Sequence, residues 1–303
     1  MDKPDLLQKI ISLKKKKNAV LLVHNYQRGE IQDIADYIGD SFFLAQKASQ
    51  LDAKVIVFCG VSFMAESAKI LSPNKLVLLP RKEARCPMAD MVEVDELIEM
   101  KKEYKNAKIV CYINTNAEIK ALSDVCCTSR NAVKVVENLN GDKIIFLPDR
   151  NLARYVQKMV KFKEIIPWNG FCYVHEKINP QEVKLAKELH KESVIIVHPE
   201  CKESVIELAD YVMGTGGMVT FAKETDKKII IIGTEEGLIY RLKKENPDKK
   251  FFTLGKAQMC RNMKITTLED VYLALKEERY RVEVPRDIME KARISLENML
   301  KWR

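Results

Sequence analysis

Cys86, Cys172 and Cys260 are separated by 86 and 88 residues, and each lies in a polar or turn-like stretch outside the apolar runs. Three soft thiolates brought to one place can hold zinc or an iron–sulfur cluster. Structural zinc sites usually carry tight local pairs such as C-x₂-C, and these cysteines form none. A cubane cluster on three protein thiolates leaves one iron open as a Lewis acid. Cys59 and Cys111 sit within or at the end of apolar runs and read as core thiols. The adjacent Cys126 and Cys127 read as packing residues, because consecutive side chains rarely converge on one metal.

A second group of residues suits proton transfer. Of the four histidines, His24 and His198 each terminate an apolar run, followed by Tyr26 and Glu200 respectively. An imidazole and a phenol two residues apart at a strand end can deliver or remove protons. Glu200 reads as a general base or as an orienter of His198, and equally as an acid in a helix's first turn. His175 falls close behind Cys172, and His190 reads as surface.

Both groups belong to a repeat. Three apolar runs end at His24-Asn25-Tyr26, Tyr112 to Asn114, and His198-Pro199-Glu200. Each is followed by a short helical stretch closing at Asp36, Asp124 or Asp210, with a hydroxyl five residues later at Ser41, Ser129 or Thr215. A second apolar run then ends at Gly60, Pro148 or Gly233, which lie nineteen, nineteen and eighteen residues beyond those hydroxyls. A further helix and one cysteine complete each copy. Apolar strands alternating with helices imply parallel α/β units with right-handed crossovers. The expectation is therefore α/β: three homologous three-layer αβα domains with parallel sheets arranged around a pseudo-threefold axis. The boundaries are 1–86 with 271–303, 87–172, and 173–270. Ligands bind beyond the carboxyl ends of such strands, so three edges are expected to face one centre. Ser41, Ser129 and Thr215 stand just before helices, where hydroxyls and N–H groups suit carboxylate and phosphate; the same positions suit ordinary N-caps.

With 303 residues, 47% hydrophobic and 31% charged, the chain is long enough for a substantial core. The net charge of +8 suits small anionic substrates. Basic residues are scattered rather than interleaved with aromatics, which opposes a nucleic-acid module with structural zinc. No apolar run reaches transmembrane length, and the opening residues lack a secretion-signal pattern, so a cytoplasmic location without a membrane partner is expected. The last stretch is expected to form a helix after Pro285, with Ile288, Ala292, Ile294 and Leu296 on its apolar face, lying across the first copy.

The ordered set "HNYQ", "FMAE", "CPMAD", "YINTNAEIKALSDVCCTSRNA", "PDRN", "CYVH", "VHPEC", "GTGGM", "IGTEEGL" and "CRNM" resembles the bacterial and archaeal quinolinate synthase family over nearly the whole chain. The resemblance implies condensation of iminoaspartate with dihydroxyacetone phosphate to quinolinate, with loss of phosphate and water, in NAD biosynthesis. It implies a [4Fe-4S] cluster on Cys86, Cys172 and Cys260 with one open iron. It also implies catalytic roles for His24, Tyr26, His198 and Glu200, and substrate contacts for Ser41, Tyr112, Asn114, Ser129 and Thr215. A functional link to an aspartate-oxidising enzyme follows from the substrate. The alternative is another cluster-dependent hydro-lyase acting on a small carboxylate. Three departures stand out. Asn25 replaces the tyrosine many relatives carry, Arg81 follows Pro80 where Asp is common, and "CRNMK" has no neighbouring cysteine for a local disulfide switch.

Overall fold

The computed structural model describes residues 3–302. It consists of three four-stranded parallel sheets of identical strand order. The first contains β1 (Ala19–His24), β2 (Tyr37–Gly39), β3 (Val55–Cys59) and β4 (Leu76–Leu78). The second contains β5 (Lys108–Tyr112), β6 (Val125–Cys127), β7 (Lys143–Leu147) and β8 (Glu164–Pro167). The third contains β9 (Val194–Val197), β10 (Tyr211–Val212), β11 (Ile229–Gly233) and β12 (Lys250–Thr253). Each sheet runs second, first, third, fourth, with helices on both faces. The central strands are buried almost throughout, which is why β3 and β9 read as unbroken apolar runs. The three αβα units stand around a pseudo-threefold axis. The chain reverses its winding between β1 and β3, β5 and β7, and β9 and β11. A crevice at such a switch point is where parallel sheets bind ligands.

Two side-chain devices recur in register and explain how each unit holds its shape. Asp36, Asp124 and Asp210 each accept the backbone N–H of a residue fifteen positions earlier in the central strand, at 2.7–2.8 Å. Each is also paired with a lysine: Lys14, Lys108 and Lys187 respectively. The carboxylate thus ties the entry to the edge strand onto its neighbour.

The second device is a lysine placed just before the fourth strand. Lys75, Lys163 and Lys249 reach back 27 and 24 residues to carbonyls at the end of the helix that joins the second strand to the third. Their acceptors are Ala48 and Leu51, Val136 and Leu139, and Ala222 and Thr225. A cation there satisfies orphan carbonyls and opposes the helix dipole.

The edge strands β2, β6 and β10 are only two or three residues long. They follow the aspartates directly and were too short to register as apolar periods. Cys126 and Cys127 lie in β6 and are fully buried, as are Cys59, Cys111 and Cys201.

The C-terminal helix, Arg286–Lys301, corrects the expectation that it lies across the first unit. It packs mainly on helix Ala117–Leu122 and β6 of the second unit, and also on helix Ser62–Leu71 of the first. Ala292, Ser295, Leu296 and Met299 are its buried positions, whereas Ile294 is 61% exposed and off the packed face. Helix Leu268–Glu277 packs instead on the N-terminal helix Lys3–Lys17 and β3. Arg81 finds its partner there, in an ion pair with Asp270 at 3.3 Å.

Candidate functional site

The strand ends and loops of all three units open on one cavity of about 70 Å³. Each of the twelve residues singled out in the sequence lines it. The units supply them in matching positions. His24 and Tyr112 end their central strands, and His198 directly follows the third. Ser41 and Thr215 begin helices, and Ser129 lies three residues before one. Cys86, Cys172 and Cys260 follow the fourth strands β4, β8 and β12.

The three thiols share one local construction. Cys172 and Cys260 are the N-caps of the short helices Tyr173–Glu176 and Arg261–Lys264, and Cys86 begins the turn that leads to Ala89–Met91. Nearby backbone N–H groups favour the ionised form of each sulfur: those of Met88 and Ala89, of His175, and of Asn262 and Met263. Burial pushes all three thiols upward, Cys86 to about 12, against the lowering effect of these N–H groups. They are therefore poor free nucleophiles that become thiolates when a cationic group supplies charge. Two have a further brace. Asp149 accepts the N–H of Cys172 at 3.1 Å, and Glu235 accepts that of Cys260 at 3.1 Å. The first unit has Val61 near that position and no such carboxylate.

Glu200 is the electrostatic centre of the cavity, and only 3% of it is exposed. Its Oε2 lies 2.6 Å from His175 Nδ1 and 3.4 Å from His198 Nδ1. The His175 contact is short but bent away from a straight hydrogen bond. Burial pushes the Glu200 carboxyl up, but His198, His175 and a hydrogen bond from Tyr112 outweigh it and hold the carboxyl below its usual range. His175 and His198 stack with ring centroids 4.5 Å apart. Burial, together with neighbouring His175 and His24, lowers His198 to about 3 despite the pull of Glu200. His24 is likewise lowered to about 3 by burial and the Lys264 charge. Both imidazoles are thus neutral at pH 7.

Turn geometry sets the histidine tautomers. His24 Nδ1 accepts the N–H of Tyr26 at 3.2 Å, and His198 Nδ1 accepts that of Glu200 at 3.3 Å. β1 ends at His24, so Tyr26 is no longer on a strand, yet the two rings meet edge to face at 4.7 Å. Burial and the Glu200 charge push both Tyr26 and Tyr112 well above the usual phenol range, which keeps them protonated.

Several groups in the cavity wall lack protein partners. Asn114 Oδ1 and Glu200 Oε1 are buried without a hydrogen bond. Orphaned buried acceptors of this kind mark a place where a ligand belongs. Cys172, His175 and Glu200 also place one donor atom each within 4.8 Å of the others, a set able to hold a cation. Among the described residues no other such triple occurs. The three cysteines are spread more widely than a single ion requires.

Sequence reasoning did not single out Thr234, Asp149 or Glu235. Thr234 is 1% exposed, and its Oγ1 lies 2.6 Å from Tyr26 OH and 2.8 Å from His175 Nε2. The signal for the two acids was present: Asp149 and Glu235 each lie twenty residues beyond the hydroxyls of their copies, Ser129 and Thr215. The same comparison could have located Thr234, one residue after Gly233.

Comparison with known proteins gives the same direction. The family model "NadA: Quinolinate synthetase A protein" matches residues 8–301. A quinolinate synthase of Thermodesulfovibrio yellowstonii is 53% identical, covering 97% of each chain. One from Alkaliphilus metalliredigens is 51% identical over 99% of each chain. One from Pyrococcus abyssi is 51% identical over 98% of this chain and 99% of its own. With near-complete coverage in both directions and about half of all positions identical, this chain belongs to the quinolinate synthase family.

Proposed function

We propose that the chain condenses iminoaspartate with dihydroxyacetone phosphate to quinolinate, with loss of phosphate and water. The observation that carries this reading is the single cavity to which all three units contribute hydroxyls, proton-transfer groups and thiols.

Both substrates are anions, which fits a chain of net charge +8. Ser41, Ser129 and Thr215 are placed to donate to their carboxylate and phosphate oxygens at helix starts. Tyr112 and Asn114 adjoin them and orient the carboxylate-bearing partner. Asn114 Oδ1, with no protein donor, is an acceptor for a substrate N–H.

Cys86, Cys172 and Cys260 fit a [4Fe-4S] cluster, and Glu200 and His175 border Cys172. The fit rests on half-buried free thiols with converging backbone N–H groups, spread too widely for one ion. When bound, such a cluster supplies one open iron as a Lewis acid that polarises a substrate oxygen. The protein's own groups move the protons. Neutral His24 and His198, whose Nδ1 atoms accept backbone N–H groups, donate from Nε2, and the protonated phenols of Tyr26 and Tyr112 donate as well. Ionised Glu200 is the proton acceptor beside them. Burial of the histidines and Glu200 excludes water from the imine substrate. Because an imine of aspartate hydrolyses in water, an aspartate-oxidising enzyme is the source that supplies it.

Anaerobic incubation of the iron- and sulfide-reconstituted chain with both substrates, followed by mass spectrometry, tests the reading. Quinolinate and an equivalent of phosphate are expected. A dehydrated product retaining only one substrate's carbon would point instead to a hydro-lyase.

A further inference from the structure

We propose that Cys111 and Cys126 are a peroxide-oxidisable thiol pair that closes into a reversible disulfide between β5 and β6. The pair lies outside the cavity lining, and the proposal is independent of the reaction assigned there.

The two sulfurs lie 3.3 Å apart, and both residues are fully buried. Cys111 of β5 stands directly opposite Cys126 of β6 in the parallel register. Neighbouring strands run about 4.8 Å apart, within the Cα separation of about 4.4–6.8 Å that a disulfide spans. Side-chain rotation brings the sulfurs into bonding contact. Cys127 follows Cys126 on the strand and points to the opposite face of the sheet, so it does not compete. The fold does not require thiols at these positions. The matching pairs are Val23 with Ile38 in the first unit and Val197 with Val212 in the third.

The surroundings favour a thiolate at Cys111. Lys120 is fully buried, and its ammonium donates to the neutral carbonyl and hydroxyl of Thr115 and lies 5.5 Å from the Phe63 ring centroid. Burial pushes the Cys111 thiol up, but the hydrogen bond with Cys126, the Lys120 charge and the nearby Ser123 and Thr115 hydroxyls outweigh it and hold it below its usual range. Burial and the neighbouring Cys111 push Cys126 the other way. Glu66 is the other acid that the Lys120 charge reaches. One sulfur is thus an attacking thiolate and the other a protonated thiol held against it. Ser295 Oγ of helix Arg286–Lys301 covers Cys126 Sγ at 3.3 Å, and local opening of that helix admits a molecule as small as peroxide.

The Cys111 thiolate attacks one oxygen of hydrogen peroxide. An S–O bond forms, the O–O bond breaks, and hydroxide leaves. The Cys126 sulfur then attacks the sulfenic acid at Cys111. The S–S bond forms, the S–O bond breaks, and the departing hydroxide takes the Cys126 proton to become water. Two electrons pass from the sulfurs to peroxide, and a dithiol reductant reverses the bond. Without Cys126, further peroxide carries Cys111 on to the sulfinic acid, which no thiol reduces. Tyr112 directly follows Cys111, and Ser129 lies two residues beyond Cys127. The pair thus confines oxidation to a reversible state on the two strands that lead to these cavity residues.

Peptide mass spectrometry of the reconstituted chain after graded hydrogen peroxide, quenched in acid and then alkylated under denaturing conditions, tests the pair. Trypsin places Cys111 in residues 109–120 and Cys126 in residues 121–130. The expected result is a cross-link between these two peptides that dithiothreitol removes. Cys127→Ser should keep the cross-link. Cys126→Ser should lose it and accumulate sulfinic acid at Cys111. Should Cys126→Ser fail to fold, Cys126→Ala carries the same test. Cys111 and Cys126 recovered as free thiols, at a peroxide level that oxidises Cys86, Cys172 or Cys260, overturn the proposal. A cross-link that persists in Cys126→Ser belongs to Cys127 and also overturns it. Either of these results leaves the proposed quinolinate chemistry standing.

Discussion

Asn25 of the first unit donates from Nδ2 to Thr215 Oγ1 of the third across 2.9 Å, while its own Oδ1 accepts from Arg241 at 2.8 Å. Asn25 is fully buried. Because the Thr215 oxygen already receives a hydrogen, its own proton is free to point into the cavity at an anion. Asn25→Ala should leave the Arg241 guanidinium short of an acceptor and release Thr215 to rotate. The expected result is a KM raised about tenfold for one of the two anions, about 1.4 kcal/mol of binding. A loss of about 1–3 kcal/mol in unfolding free energy should accompany it. Kinetics and denaturant melts of the variant check both. Unchanged KM values would show that Thr215 does not take part in anion binding.

The repeated aspartates predict a purely structural effect. Asp124 Oδ2 accepts the N–H of Ile109 at 2.8 Å, far from the cavity lining. Asp124→Ala strands that N–H in the central strand of the second sheet, at a cost of about 1–3 kcal/mol. Chemical denaturation should show this loss with kcat preserved. The same substitution at Asp36 or Asp210 should cost a similar amount, and a tenfold drop in kcat at any of the three would contradict the structural assignment.

Acidification should expose the buried imidazoles. His24 has an ordinary value of 6.5 and is lowered to about 3 by burial and Lys264. Between those values the unfolded chain binds a proton that the folded chain refuses. The stability this group contributes is therefore complete above pH 6.5 and is lost as pH falls toward 3. Comparing wild type with His24→Asn at pH 7 and pH 5 cancels the other titrating groups. On acidification the cluster-free wild type should lose about 2 kcal/mol more than the variant. Parallel stability curves for the two proteins would show that His24 charges freely in the fold.

The central strands were legible because burial on both faces leaves a continuous apolar run, as in "VIIV" of β9. The cavity was legible because its residues recur at strand ends and helix starts, where α/β units present polar groups. β2, β6 and β10 escaped because two or three residues carry no period. Lys75, Lys163 and Lys249 escaped because a lysine looks like solvated charge until its acceptors are seen; in a chain with 51 Lys and Arg, three evenly spaced ones do not stand out. The placement of helix Arg286–Lys301 depended on Ser295, whose Oγ donates to Lys120 O of the second unit at 2.9 Å. No local pattern announces such a contact. Thr234 is ordinary in type, and its significance lies wholly in having Tyr26 and His175 on either side.

The central claim is that three units build one metal-dependent site, each contributing one thiolate. Iron and acid-labile sulfide, counted after anaerobic reconstitution of wild type and of Cys86→Ala, Cys172→Ala and Cys260→Ala, test it most directly. The account predicts about four irons and four sulfides per wild-type chain. Each single variant should lose the cluster absorbance and quinolinate formation while keeping its circular dichroism. Full iron and sulfide content in any one of the three variants would contradict the assignment of that cysteine, and zinc alone in the wild-type chain would contradict the cluster.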